Sequence, residues 1–130
     1  MNRKNKRRNG QMKSLFEVII GLLQKRKFKK ISAEEFIEMK ESGKDISIID
    51  CRSKDDYAEG HIEGAINIPY QGFMKKWNST PKKKTVITIC YVGIYGRVAA
   101  QKIANSGKHN AYTVIGGMKA IDKLSMKAKN

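Results

Sequence analysis

Two cysteines, two prolines and two histidines among 130 residues remove several classes of protein at the outset. Two cysteines do not make a disulfide scaffold. Neither Cys51 nor Cys90 has a histidine or another cysteine at zinc-ligand spacing, so no metal site is expected. No cofactor is expected either. The sparing use of cysteine fits a reducing compartment, and a cytoplasmic location is the corresponding expectation. Few prolines beside 40% hydrophobic residues exclude a disordered chain. The length suits one domain with one core, and no internal repeat is present.

Long apolar runs are also missing. The longest candidate, from Met12 to Gln24, has about half of the roughly 20 apolar residues that a spanning helix needs. It contains Glu17, is followed by Lys25-Arg26-Lys27, and no small-residue cleavage site of a signal peptide follows it. Glu17, Gly21 and Gln24 recur at i, i+4 and i+7 and make a narrow polar stripe among Leu15, Phe16, Val18, Ile19, Ile20, Leu22 and Leu23. The spacing predicts a short amphipathic helix that either packs on the domain or lies on an anionic membrane surface.

Acids are scarce, with 12 Asp/Glu against 27 Lys/Arg and a net charge of +15. The imbalance is local: eleven of the basic residues fall within positions 1–30, opposed by Glu17 alone. Residues 1–30 read as a basic tail plus the amphipathic segment, and 31–130 as the domain. Such a segment attracts polyanions or anionic lipid. No nucleic-acid motif accompanies it, so only nonspecific, salt-dependent nucleic-acid binding is expected.

Within the domain, Ser32-Ala33-Glu34-Glu35 is a capping box with Ile31 and Phe36 as its hydrophobic staple, and Gly43 should end that helix. Four short runs rich in β-branched residues follow: Ile46–Ile49, Ala65–Ile68, Thr85–Ile89 and Tyr112–Ile115. They read as buried parallel strands. Helices are predicted between them at about 54–59, 71–77 and 97–106, and a last one at about 117–126. Phe73, Met74 and Trp77 share one helical face and are expected in the core. Lys82-Lys83-Lys84 is expected to be a solvated turn. Alternating strands and helices imply an α/β fold with a parallel sheet.

In such sheets ligands bind beyond the carboxyl ends of the strands. Cys90 ends the third run, and Tyr91-Val92-Gly93-Ile94-Tyr95-Gly96-Arg97 leads into a helix. A loop entering a helix N-terminus turns several N–H groups inward. The helix dipole adds partial positive charge there, and Gly93 and Gly96 permit the backbone turns a cradle needs. A sulfur at that position would be favoured as an anion, as a nucleophile or a persulfide. Read from spacing alone, a buried strand-end cysteine with no reactivity accounts for Cys90 equally well.

The stretch from Ile48-Ile49-Asp50-Cys51-Arg52 through Tyr57-Ala58-Glu59-Gly60-His61-Ile62 to Gly64-Ala65-Ile66-Asn67-Ile68-Pro69 resembles the rhodanese homology domain. That family has the pattern I-D-V-R-x-x-x-E-Y-x-x-G-H-I-x-G-A-x-N-I-P. The Cys90 loop and Gly116-Gly117 fall where the family has its active cysteine and its later Gly-Gly, so the likeness covers about residues 31–124. It implies a central parallel five-stranded sheet flanked by helices. It implies Cys90 as the carrier of sulfane sulfur, cradled by the amides of Tyr91, Val92, Gly93, Ile94, Tyr95 and Gly96, and passing sulfur to a thiophilic acceptor. The partners would be a small sulfur donor and acceptor or a persulfidated protein.

The loop departs from the family. Active members often read Cys-Arg-x-Gly-x-Arg-Ser, whereas Tyr91, Tyr95 and Gly96 replace both arginines and the serine here. Arg97 and Arg52 are the remaining candidate cations for a donor; for Arg52 an ion pair joining two loops is the competing reading. A less polar mouth suits a protein-bound or low-molecular-weight persulfide better than thiosulfate. His61 and Asp50 are expected to organise loops, and Cys51, where the family has valine, to pack in the core or, alternatively, to act as a resolving thiol for Cys90. The alternative to a sulfurtransferase is a non-catalytic binding or regulatory module. A phosphatase-like oxyanion site would need an arginine six positions after the cysteine, where Gly96 stands.

Overall fold

β-Branched residues crowd into two five-residue runs, and these become the middle of the sheet. The structure, a computed structural model, describes residues 14–23 and 27–129. Residues 1–13, which hold the basic tail ahead of the amphipathic segment, lie outside the described residues. In chain order the elements are α1 Leu15–Leu23, β1 Lys29–Ile31, α2 Ala33–Glu41, β2 Ile46–Asp50, α3 Lys54–Glu59, β3 Ile66–Asn67, α4 Phe73–Ser79, β4 Thr85–Ile89, α5 Ile94–Asn105, β5 Asn110–Val114 and α6 Gly117–Lys129. The sheet has five strands in the order β1-β5-β4-β2-β3, and every pairing is parallel. This is the α/β architecture expected from the sequence.

The two sheet faces are packed separately, as a doubly covered sheet requires. One face sets Ile49, Cys51, Val86, Cys90 and Ala111 against Phe73 and Trp77 of α4 and Ala99, Ala100 and Ile103 of α5. The other sets Ile48, Ile87, Ile89 and Val114 against Phe36 of α2 and Met118 and Ile121 of α6. Met74 departs from expectation: it is 38% exposed, because α4 turns only Phe73 and Trp77 inward. The lysines of the 82–84 turn are held rather than merely solvated. Lys82 donates to the Trp77 carbonyl and lies over its ring, the Lys83 amide donates to Ser47 Oγ, and Lys84 Nζ reaches the Lys108 carbonyl.

The capping box forms as read. Ser32 Oγ accepts from the Glu35 amide at 3.0 Å, and Glu35 Oε1 accepts from the Ser32 amide at 3.1 Å. The fifth strand comes from Lys29–Ile31, inside what the sequence presents as a basic run. Only Ile31 of the three is buried, so this edge strand has almost no apolar signature, and exposed lysines are what an unpaired sheet edge tolerates. Helix α5 begins at Ile94, three residues before the expected start, because Gly93 takes a left-handed conformation, φ 101°, and turns the chain into the helix at once.

Helix α1 realises the amphipathic segment between Leu15 and Leu23, with Ser14 Oγ accepting from the Glu17 amide at its start. Every side chain from Leu15 to Ile19 is exposed, and none of the five belongs to either core cluster. Among the described residues no helix is long and apolar enough to cross a membrane.

Candidate functional site

Parallel register brings the two cysteines together. β2 and β4 pair with Asp50 opposite Ile89, and the Cys51 amide donates to the Ile89 carbonyl at 2.7 Å. Cys51 and Cys90 therefore leave the carboxyl ends of adjacent strands side by side and line the same cavity of about 580 Å³. This is the position where open α/β sheets bind ligands.

Cys90 is 3% exposed, and its Sγ accepts a hydrogen bond from the Gly93 amide at 2.9 Å. The sulfur thus sits over the start of α5, whose first-turn N–H groups have no intrahelical acceptors. The loop is fixed from the other side by α6. The Met118 amide donates to the Cys90 carbonyl at 2.8 Å, and the Lys119 amide donates to the Tyr91 carbonyl at 3.0 Å. One helix start therefore faces the sulfur while another grips the carbonyls of the same loop.

Tyr91 and Tyr95 line the cavity and remain 57% and 54% exposed. Tyr95 stacks on Tyr70 with ring centroids 4.5 Å apart. Val92 and Ile94 are also exposed but are not among the residues that line the cavity. Gly96 is buried, with its carbonyl accepting from Thr88 Oγ1 at 2.7 Å. A Cβ at Gly96 would lie 2.8 Å from Thr113 Oγ1, so the residue provides helix-to-sheet contact at a place where the family's pattern has serine. Arg97 is exposed on α5 and is not brought into the cavity.

Arg52 lines the cavity, but its guanidinium is committed. Nε and Nη2 contact both carboxylate oxygens of Asp50 at 2.8–3.2 Å, and Nη2 also donates to the Gly60 carbonyl at 2.6 Å. Asp50 raises the already high guanidinium affinity for its proton further. Asn67 Nδ2 donates to the carbonyls of Asp50 and Arg52, and Tyr57 Oη donates to the Ala65 carbonyl. His61 Nδ1 is hydrogen-bonded to the Tyr57 carbonyl at 2.8 Å, and its ring stacks on Tyr57 at 3.7 Å. The conspicuous Asp-Cys-Arg to Asn-Ile-Pro stretch is therefore a set of loop clamps that shapes one wall of the cavity. The sequence reading missed Ser53, Lys54 and Asp56, which follow β2, and Pro69, Tyr70 and Gln71, which follow β3; all six also line it, and the strand-end rule that selected Cys90 applies to them equally.

Burial pushes the Cys51 thiol well above its ordinary 9.0; Cys90 and Asp50 add to the push, and a backbone hydrogen bond at Ile89 opposes it. The unfolded chain releases this proton near its ordinary value, whereas the folded chain retains it. The associated stability is therefore intact below that value and is lost as pH rises above it, by up to about 1.4 kcal/mol per pH unit. Urea unfolding followed upward from about pH 8 should show a shallower alkaline decline for Cys51→Val than for the parent chain. Coincident slopes would mean that Cys51 is not held protonated.

Comparison with known proteins agrees with this fold. A family model described as Rhodanese-like domain matches residues 32–124. A protein named thiosulfate sulfurtransferase GlpE from Shewanella oneidensis is 29% identical over 93 residues, covering 72% of this chain and 91% of that protein. A protein of the same name from Coxiella burnetii is 33% identical over 90 residues, covering 69% and 83%. The crystal structure of a rhodanese-like domain protein from Staphylococcus aureus superposes with a TM-score of 0.64 at 26% identity, covering 72% of this chain and 91% of that one.

Proposed function

The chain belongs to the rhodanese-like domain family, and from that premise we propose that it is a rhodanese-type sulfurtransferase that carries sulfane sulfur as a persulfide on Cys90. The observation that carries this reading is the 2.9 Å hydrogen bond from the Gly93 amide to Cys90 Sγ at the wall of the cavity. Relatives named thiosulfate sulfurtransferase support it. So does a Bacillus subtilis protein named putative sulfur carrier protein YrkF, 28% identical over 89 residues.

The chemistry is two successive displacements at sulfur. The Cys90 thiolate attacks the outer sulfur of a donor persulfide, forming a new S–S bond as the donor thiolate leaves. The outer sulfur of the resulting Cys90 persulfide is anionic, and N–H groups at the start of α5 suit such a charge. An acceptor thiolate then attacks that outer sulfur and releases Cys90 as thiolate. Cys51 is held as a thiol by burial and so does not compete as a nucleophile, because exchange requires the thiolate.

The mouth favours a donor other than the thiosulfate dianion. Tyr91 and Tyr95 occupy the positions where active family members often have arginine, Arg52 is neutralised by Asp50, and the lysine that remains in the lining, Lys54, shares it with Asp56. The exposed rings of Tyr91 and Tyr95 in the cavity lining, with exposed Val92 and Ile94 on the same loop, suit the carbon skeleton of a low-molecular-weight persulfide or the surface of a persulfidated protein. Mass spectrometry after incubation with cysteine polysulfide should find one added sulfur on Cys90, and thiosulfate should load it far more slowly. A Cys90 that alkylates readily yet takes sulfur from neither donor would sink the sulfurtransferase reading. It would favour the second one, a docking module that uses the exposed apolar side chains of the Cys90 loop.

A further inference from the structure

The end of the molecule opposite Cys90 has its own chemistry. A second hollow of about 340 Å³ is lined by Lys27, Lys29 and Lys84 with His109 and Asn110. It lies where β1, β4 and β5 begin, and no carboxylate is among its lining residues. β4 is a five-residue strand, which at about 3.3 Å per residue sets this lysine end roughly 15 Å from the Cys90 end.

Just upstream, α1 exposes Leu15 at 76%, Phe16 at 64%, Val18 at 43% and Ile19 at 46%. Four large apolar side chains in water on one short helix are costly unless something covers them. The nine-residue helix is about 13 Å long, far short of the roughly 30 Å hydrocarbon core, but it is adequate to lie in a bilayer interface. Lys13 precedes it in the sequence and Lys25, Arg26 and Lys27 follow it. Lysines alone would suit any polyanion. Cations joined to exposed leucine, phenylalanine, valine and isoleucine suit a surface that offers both phosphate and acyl chains.

We propose that α1 and the lysine-lined end of the sheet form a docking surface for an anionic lipid bilayer, leaving the Cys90 mouth directed away from it. The strands are parallel, so one end of the sheet holds the bilayer while the other remains open to soluble sulfur donors. The proposal does not depend on the sulfur chemistry.

The test uses the full chain and co-sedimentation with vesicles of phosphatidylcholine alone or with about one-third phosphatidylserine. Binding to the anionic vesicles should be at least about tenfold stronger and should weaken with salt. Leu15→Glu with Phe16→Glu should abolish it at low salt. Lys27→Gln, Lys29→Gln and Lys84→Gln together should weaken it about tenfold or more. Circular dichroism verifies that both variants fold. Alkylation of Cys90 should proceed equally fast with and without bound vesicles. Vesicle binding that survives the Leu15/Phe16 change, or equal binding to neutral vesicles, would overturn the proposal. So would binding to duplex DNA without binding to vesicles, or self-association in sedimentation velocity that buries α1 and leaves vesicles unbound. Protection of Cys90 by vesicles would overturn the orientation.

Discussion

Cys90→Ser should abolish sulfur transfer, lowering the rate of delivery from a polysulfide to a thiol by about a thousandfold or more, while leaving the fold in place. A hydroxyl oxygen does not form a stable bond to sulfane sulfur under these conditions, so the variant lacks the intermediate as well as the nucleophile. The substitution is otherwise mild. Serine is smaller by little, and its Oγ can still accept from the Gly93 amide that now contacts Sγ at 2.9 Å. The carbonyl of residue 90 keeps its bond from the Met118 amide. Stability should change by no more than about 1.5 kcal/mol, which urea unfolding would register. Sulfide release in excess thiol at the parental rate would show that the sulfur is carried elsewhere. An unfolded variant would show that the sulfur's packing matters more than its chemistry.

The fold was legible where side-chain burial leaves a pattern. β2 and β4 are buried on four of five residues each, and such strands read as continuous β-branched runs whichever face is considered. β1 was not legible, because Lys29 and Lys30 are exposed and its bonds to β5 are made by the main chain. The site divides in the same way. Cys90 and its glycine-bearing loop could be identified, because a strand end followed by a helix start has a chemical meaning in one dimension. The far wall could not. Tyr70 reaches the cavity because its amide donates to the Cys51 carbonyl at 3.1 Å, a pairing between segments nineteen residues apart in sequence. Arg52 was readable both as a ligand-binding cation and as a structural one. Its contacts with Asp50 and Gly60 place it among the loop clamps, and the cavity keeps Lys54, which the sequence did not single out, as its lining lysine.

Gly117→Ala should be the most damaging alanine substitution among the described glycines, costing about 4 kcal/mol from backbone strain and overpacking together. Gly117 has φ +56°, and a Cβ there would lie 2.2 Å from the Cys90 carbonyl oxygen and 2.8 Å from that of Tyr91. Both obstacles are main chain, so no rotamer change relieves them. The loop can move only by surrendering the bonds that the Met118 and Lys119 amides give to those two carbonyls. Since the displaced carbonyl and the thiol belong to the same residue, the displacement should also lower sulfur loading on Cys90. Gly116 is the internal control. Its φ is +78° and its Cβ would meet the Cβ of Ala120 at 2.9 Å, a contact with a side chain on α6 and not with the loop. Gly116→Ala should therefore lose stability, by about 2 kcal/mol, while the folded fraction loads sulfur at the parental rate. Urea unfolding and mass spectrometry of loaded Cys90 separate the two effects. Parental loading by folded Gly117→Ala would mean that the grip of α6 on the loop serves stability alone. Slow loading confined to this variant would mean that the later Gly-Gly pair holds the sulfur in place through the carbonyl on its own residue.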